Sequence, residues 1–289
     1  MDRSYVLVTP ARNEEATIGI TIECVIAQTI SPKEWVIVSD ESTDRTDAII
    51  RDFATRVPYI HLVRLERRPR RSFASVVHAT EAGVRALTTG DYHFIGLLDA
   101  DVRFSHDYFE EMLRRFECEP ALGLAGGRVV DFVEGRRHPA GQSLRDVAGA
   151  VQLYRRVCFE SLGGLVPLPE GGWDTITCVQ ARMNGFRTRT FADLEVDHLK
   201  PRNVAEGNVW KRHRQLGARA YAVGNHPLFE FTKCAYRCFQ RPLFIGGAMR
   251  LAGFVNCYLQ RRKRQLSPDM IRFIRDEQMS RLLMKEGRG

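Results

Sequence analysis

Four short apolar runs lie in the first hundred residues: Tyr5 to Val8, Trp35 to Val38, Ile60 to Leu65 and His93 to Leu98. The segments between them are long enough for crossover helices, the pattern of a parallel sheet. The first connection sets Ile18, Ile22, Val25 and Ile26 at helical spacing, and the second does so with Ile49, Ile50, Phe53 and Val57. Each helix therefore has one apolar face to lay on a sheet. Strand and helix alternate, which predicts an α/β chain built on a mostly parallel sheet flanked by helices.

Beyond Asp101 the pattern loosens. A helix is expected from about Tyr108 to Phe116, a strand from Leu122 to Val130, and a mobile surface loop over the polar stretch Glu134 to Arg145. Two more helices are expected: Val157 to Leu162, stopped by Gly163-Gly164, and Asp174 to Asn184, closed by Gly185. Glycine takes the left-handed cap conformation without steric cost. Pro242 to Leu259 is apolar apart from Arg250 near its middle, and it runs into Arg261-Arg262-Lys263-Arg264. A central Arg costs about 2.5 to 3.5 kcal/mol on insertion scales, and the run only just reaches the length needed for roughly 30 Å of hydrocarbon. Two expectations stand for it: a helix lying in a membrane interface, or a core helix with a solvated basic end. The expected domains are an α/β domain over 1–205 and a helical extension over 206–289, membrane-interfacial on the first of these two expectations.

The length of 289 residues and 44% hydrophobic content allow one full core with an appendage. A formal charge of +8 suits nucleic acid, anionic lipid or a phosphorylated small molecule. No aromatic stacking platform or helix-turn-helix pattern accompanies it, so nucleic acid is set aside as a partner. The start lacks the basic segment, longer apolar core and cleavage site of a secretion signal. The expected place is the cytoplasm, with peripheral contact on the inner face of the cell membrane. Seven scattered Cys without a C-x-x-C pair suit reduced thiols.

Ligands bind open parallel sheets beyond the carboxyl ends of the strands. Those positions are polar here: Thr9-Pro10-Ala11-Arg12-Asn13-Glu14-Glu15, Ser39-Asp40-Glu41-Ser42-Thr43-Asp44 and Asp99-Ala100-Asp101. Asp99 and Asp101 stand two apart after a buried strand and can reach one ligand region. Mg2+ and Mn2+ are hard cations that take one or two carboxylates with phosphate oxygens and water, so this pair suits a metal beside a diphosphate. Asp40 can accept a hydrogen bond from a base N–H or a ribose hydroxyl, while Ser42 to Asp44 suit helix capping. Arg12 and the Arg70-Arg71 pair can balance diphosphate charge.

Taken in order and spacing, these three clusters resemble the successive signatures of family 2 glycosyltransferases with the GT-A fold. The resemblance extends over about Tyr5 to Arg202. It implies that Thr9 and Asp40 contact the nucleotide, with Pro10, Arg12, Glu14, Arg71 and Ala100 beside them. It also implies that Asp99 meets the ribose or donor and that Asp101 holds the divalent metal. Ser39 departs from the pattern, because many members carry a second Asp there. Gly171-Gly172-Trp173-Asp174-Thr175 looks like the Gly-Trp-Asp version found in transferases of exopolysaccharide synthesis, making Asp174 the implied catalytic base and Glu170 its rival. Such a base removes the acceptor hydroxyl proton as its oxygen attacks C1 of the sugar. Trp173 either stacks on the acceptor sugar or packs. His198, in Glu195-Val196-Asp197-His198-Leu199-Lys200, resembles the family's histidine near the diphosphate, where it aids the metal or leaving group.

The resemblance implies an inverting, metal-dependent transferase. It moves a sugar from a UDP- or GDP-linked donor to a saccharide or lipid-linked acceptor in cell-surface or exopolysaccharide synthesis. Two rivals compete with it. A nucleotidyltransferase needs a Gly-rich first loop to cradle a triphosphate, and Arg12-Asn13-Glu14-Glu15 has none. An inactive nucleotide-sugar-binding scaffold would differ in showing no donor hydrolysis with or without manganese.

Overall fold

A computed structural model of the chain describes residues 2–65, 73–133, 136–139, 143–200, 209–239 and 244–286. Arg67 to Arg71, Pro201, Arg202 and Pro242 lie outside the described residues. The chain divides into two compact units, Met1–Pro167 with Trp173–Arg202, and Leu168–Gly172 with Asn203–Gly289.

The first unit is α/β. Its elements in chain order are β1 Tyr5–Ala11, α1 Ile18–Ile26, β2 Glu34–Asp40, α2 Thr46–Arg56, β3 Ile60–Leu65, α3 Ala74–Ala86 and β4 Phe94–Leu98. There follow β5 Val102–Arg103, α4 Tyr108–Cys118, β6 Leu122–Val133, β7 Arg136–Pro139, β8 Val151–Arg155, α5 Arg156–Ser161, α6 Trp173–Met183 and β9 Arg187–His198. The strands join one sheet in the order β3-β2-β1-β4-β8-β6-β9-β5, with β7 on β6. The expected parallel pairing holds across β3, β2, β1 and β4. Past β4 the sheet is mixed, because β8 runs antiparallel to both β4 and β6, and β6 is parallel to β9.

Strands β1, β2 and β4 are covered on both faces, which is why they read as continuous apolar runs, whereas the edge strand β3 exposes His61 and Arg64. Side chains alternate across a strand. Tyr5 and Leu7 of β1 therefore join Ile18 and Ile22 of α1 and Phe109 and Phe116 of α4 in one core. Val6 and Val8 face the other way and pack with Val77 of α3 and Cys158, Cys178 and Ala181 of α5 and α6.

Within the stretch expected to be a loop, Arg136–Pro139 forms β7, paired with Val130 to Val133 of β6. The partner strand supplies backbone hydrogen bonds that a polar sequence does not advertise. Gly163, Gly164 and Gly185 all have positive φ, as expected of residues closing α5 and α6.

The second unit is helical: α7 Val209–Ala222, α8 Pro227–Arg237, α9 Ile245–Leu259 and α10 Pro268–Glu286. Helices α7 and α9 touch backbone to backbone. A Cβ on Gly217 would sit 2.0 Å from the Arg250 carbonyl oxygen, and one on Gly253 would sit 2.1 Å from that of Arg214.

Candidate active site

The carboxyl ends of β1, β2 and β4 open on one cavity of about 490 Å³. Pro10, Arg12 and Glu14 line it from the loop after β1, Asp40 from the end of β2, and Asp99, Ala100 and Asp101 from the turn after β4. The start of α3 supplies Phe73, Ser75, Val76 and Ala79, and the end of β9 supplies His198.

The first two loops are tied together by side chains that satisfy backbone N–H groups. Asn13 and Glu14 donate backbone N–H bonds to Ser42 and Thr46, at 3.2 and 2.7 Å, and Asn13 Oδ1 accepts from the Thr43 N–H at 2.9 Å. Asp44 accepts from both Glu15 N–H and Thr46 N–H, each at 3.0 Å, so it serves the helix start as expected and the neighbouring loop as well. Asn13 and Glu41 hold φ of 54° and 59°, a region that non-glycine residues seldom enter. Each turns the chain just past a strand, and the cross-loop bonds keep it there.

Asp99, Asp101 and His198 meet because the short strand β5 pairs with the end of β9, setting Val102 opposite His198. Their ligand atoms all lie within 4.8 Å of one another. His198 Nε2 is 3.5 Å from Asp101 and 3.9 Å from Asp99. The other ring nitrogen, Nδ1, lies 2.5 Å from the Lys200 carbonyl oxygen, which accepts only from an N–H. That bond fixes the tautomer and turns Nε2 toward the carboxylates, the usual support of a metal-bound histidine.

Burial first, and the charge of Asp99 second, push the Asp101 carboxyl up to about 7. Burial works against the charged form of His198, but hydrogen bonding to Asp99 and the Asp101 and Asp99 charges lift its pKa above the ordinary value. The basic groups at the cavity are paired with its carboxylates and their neighbour Glu41. Arg12 reaches Asp40 at 3.7 Å and Glu41 at 3.5 Å, and Lys200 bonds Glu14 at 2.5 Å. Asp40, Glu14, Asp99 and Asp101 make the cavity rich in carboxylates. Two carboxylates and one imidazole, with room beside them, fit a divalent cation.

The other expected residues divide. Thr9 belongs to the core: it is fully buried, and its hydroxyl accepts the Trp35 indole N–H at 2.9 Å. Ser39 also points away from the cavity, donating to Asp47 at 2.5 Å. Arg71 lies outside the described residues. Asp174, in the first turn of α6, accepts the Thr175 N–H at 2.8 Å and is absent from the cavity wall. The Asp99 N–H donates to Ala150 O at 2.9 Å, and the neighbouring Gly149 lies against the side chains of Trp173 and Asp174. A Cβ on Gly149 would come 2.9 Å from the Trp173 ring and 3.6 Å from Asp174 Cβ. Trp173 is thus partly packed. Glu170 falls in the second unit.

Two supporting residues escape a reading by sequence. Thr21 of α1 accepts the Val102 N–H at 3.1 Å and donates to the Ala100 and Val102 carbonyls, pinning the turn that carries Asp99 and Asp101. Its signal is a polar residue inside the apolar stripe of Ile18, Ile22 and Val25. Lys200, two residues past His198, anchors Glu14.

The profile of Glycosyl transferase family 2 matches residues 6–166, more than half of the chain. The protein belongs to glycosyl transferase family 2. Over 123 residues it is 28% identical to a 4,4'-diaponeurosporenoate glycosyltransferase of Staphylococcus aureus (strain bovine RF122 / ET3-1), a match covering 42% of this chain and 30% of that protein's length. Among solved structures, it resembles the mannosyltransferase PcManGT of Pyrobaculum calidifontis, in complex with GDP-Man and Mn2+. That likeness has a TM-score of 0.62 at 18% identity, covering 89% of this chain and 88% of the other. It also resembles S. aureus TarS 1-349 in complex with UDP-GlcNAc, with a TM-score of 0.55 at 14% identity, covering 89% of this chain and 73% of the other. At these identities the likeness speaks for the fold, which is GT-A.

Proposed function

We propose that this glycosyltransferase moves a sugar from a UDP- or GDP-linked donor to a saccharide or lipid-linked acceptor, with inversion at C1. The observation that carries the reading is the meeting of Asp40, Asp99, Asp101 and His198, from separate strand ends, around one cavity. Asp40 accepts from the base or ribose, and Pro10, Arg12, Glu14 and Ala100 shape the nucleotide seat. Asp99, Asp101 and His198 would hold Mg2+ or Mn2+, which when bound supplies positive charge to the diphosphate. The structurally similar PcManGT and GalNAc-T7 were solved with Mn2+, and PcManGT and TarS with GDP-Man and UDP-GlcNAc. Asp174 takes the acceptor proton, Glu170 is its rival, and Trp173 offers its exposed part to the acceptor. A single displacement with a carboxylate base inverts the anomeric centre.

A lipid-linked acceptor would set the work at a membrane, with the chain peripheral on the inner face and active in cell-surface or exopolysaccharide synthesis, the setting in which the Gly-Trp-Asp motif is found. Among the described residues no helix is long and apolar enough to cross a bilayer.

A thermal-shift panel of UDP, GDP and their sugars with Mn2+ identifies the donor, because a ligand bound only to the native state raises Tm. With that donor and a saccharide acceptor, Asp174→Asn is expected to lower kcat by about 10²-fold or more with Tm unchanged, since a general base contributes about 10²–10⁴. Product anomers read by NMR should be inverted. Wild-type turnover in Asp174→Asn together with loss in Glu170→Gln would transfer the role to Glu170, and retention at C1 would refute the displacement.

A further inference from the structure

Helix α8 is turned inside out. Leu228, Phe231, Thr232, Ala235 and Tyr236 are exposed, and Phe239 continues the same line one turn on. These positions recur at intervals of three and four, so they form one face, with Thr232 its sole polar member and no charge. The charges of α8 face inward. Glu230 is fully buried, and Lys233 and Arg237 are half-buried. The Glu230 carboxylate is bonded by both Nε and a terminal nitrogen of Arg250 and by Asn225, which in turn accepts from Gln278. A helix bordered by water ordinarily does the reverse, burying its apolar stripe.

Helix α9 repeats the arrangement. Ile245, Ala248, Ala252, Val255 and Leu259 are exposed at helical spacing. Arg250, which as sequence interrupts this apolar run, points inward to Glu230 and leaves the stripe free of charge. The rings of Phe239 and Phe244, with centroids 6.5 Å apart, join the end of α8 to the start of α9. At the far end of α9, Leu259 is followed by exposed Arg261, Arg262 and Lys263. From residue 203 onward the chain carries 17 Lys and Arg against six Asp and Glu, a formal charge of +11, whereas residues 1–202 carry 26 against 29 and are net −3. Contiguous exposed apolar surface marks a partner, and this one has a strongly cationic setting.

We propose that the outward faces of α8 and α9 form a docking surface for an anionic lipid bilayer, with Phe231, Phe239, Val255 and Leu259 entering the headgroup boundary and Arg261 to Lys263 reaching the anionic headgroups. An interfacial helix pairs an apolar face with flanking cations in this way. At 15 residues α9 is about 22 Å long, short of a bilayer core, so it lies in the interface. Pairing with a second copy is disfavoured because a two-fold dimer would set the same cationic surface against itself. The proposal names the surface behind the membrane location given above, but it does not depend on which nucleotide sugar is used.

Vesicle co-sedimentation of the full chain tests it, using phosphatidylcholine vesicles with and without phosphatidylglycerol. Binding is expected only with phosphatidylglycerol and should fall with added salt. Phe231→Glu and Leu259→Glu should each weaken it about tenfold or more, and Arg262→Gln about fivefold. All three residues are exposed, so Tm and nucleotide binding with Mn2+ should stay at wild-type values. Wild-type chain that ignores phosphatidylglycerol vesicles overturns the proposal. So does a dimer in sedimentation velocity that Phe231→Glu splits while vesicle binding is unchanged. Nucleotide binding measured on the same samples fails or succeeds independently, which separates the two readings.

Discussion

Two buried charge clusters, one in each unit, are built on opposite plans. In the helical unit Glu230 is matched by Arg250 and Asn225, and although burial pushes its carboxyl up, the Arg250 hydrogen bond and charge bring it below the ordinary value. In the sheet unit Asp101 is buried beside a second carboxylate, Asp99, and is pushed up to about 7. A carboxylate withdrawn from water thus belongs to a closed ion pair in one place and to an acidic seat in the other. A charge matched by its own chain holds helices together, and one left facing its like is suited to bind a cation from outside.

The largest expected break in this contrast is in the helical unit. Glu230→Ala leaves Arg250 buried without its carboxylate and should cost about 3–5 kcal/mol, seen as a lower denaturant midpoint, whereas Glu230→Met combined with Arg250→Leu should cost much less. Equal losses in the two variants would show that Glu230 does not act through Arg250.

Acid should drive the clusters in opposite directions. The Asp101 carboxyl titrates higher folded than unfolded, so its protonation favours the fold, and metal-free protein gains stability from this group as pH falls toward about 7 and below. Mn2+ needs the carboxylate, so its affinity should fall about tenfold per pH unit below that point. Glu230 titrates below its ordinary value of 4.5, so its contribution is present above that pH and is lost as pH falls further. Calorimetric Mn2+ titrations and urea melts from pH 8 to 4 read both trends, and a flat Mn2+ profile would contradict the assignment to Asp101.

A smaller effect sharpens the sheet side. Thr21→Val removes the hydroxyl pinning the Asp99–Asp101 turn and should weaken Mn2+ binding about tenfold, the lower end for supporting residues around metals. Unchanged affinity would show that the turn holds its own shape.

Much of this was legible in the sequence where local pattern and burial coincide. Strands β1, β2 and β4 are buried on both faces, so they appear as apolar runs, and the carboxylates at their ends mark the cavity. The rest depends on partners far along the chain. β7 and β9 are rich in polar residues, and their pairing with β6 is a long-range choice of register. Thr9 reads as a nucleotide contact until Trp35, on the adjacent strand, claims its hydroxyl. Arg250 reads as an interruption of an apolar helix until Glu230, twenty residues earlier, faces it from α8.

The most direct measurement is calorimetric binding of GDP and UDP to wild-type and Asp101→Asn protein, with and without Mn2+. Binding of the preferred nucleotide should require Mn2+ in the wild type and vanish in Asp101→Asn, whose Tm without metal should equal or exceed that of wild type. Nucleotide bound equally well by both proteins, whether or not Mn2+ is present, would contradict the account.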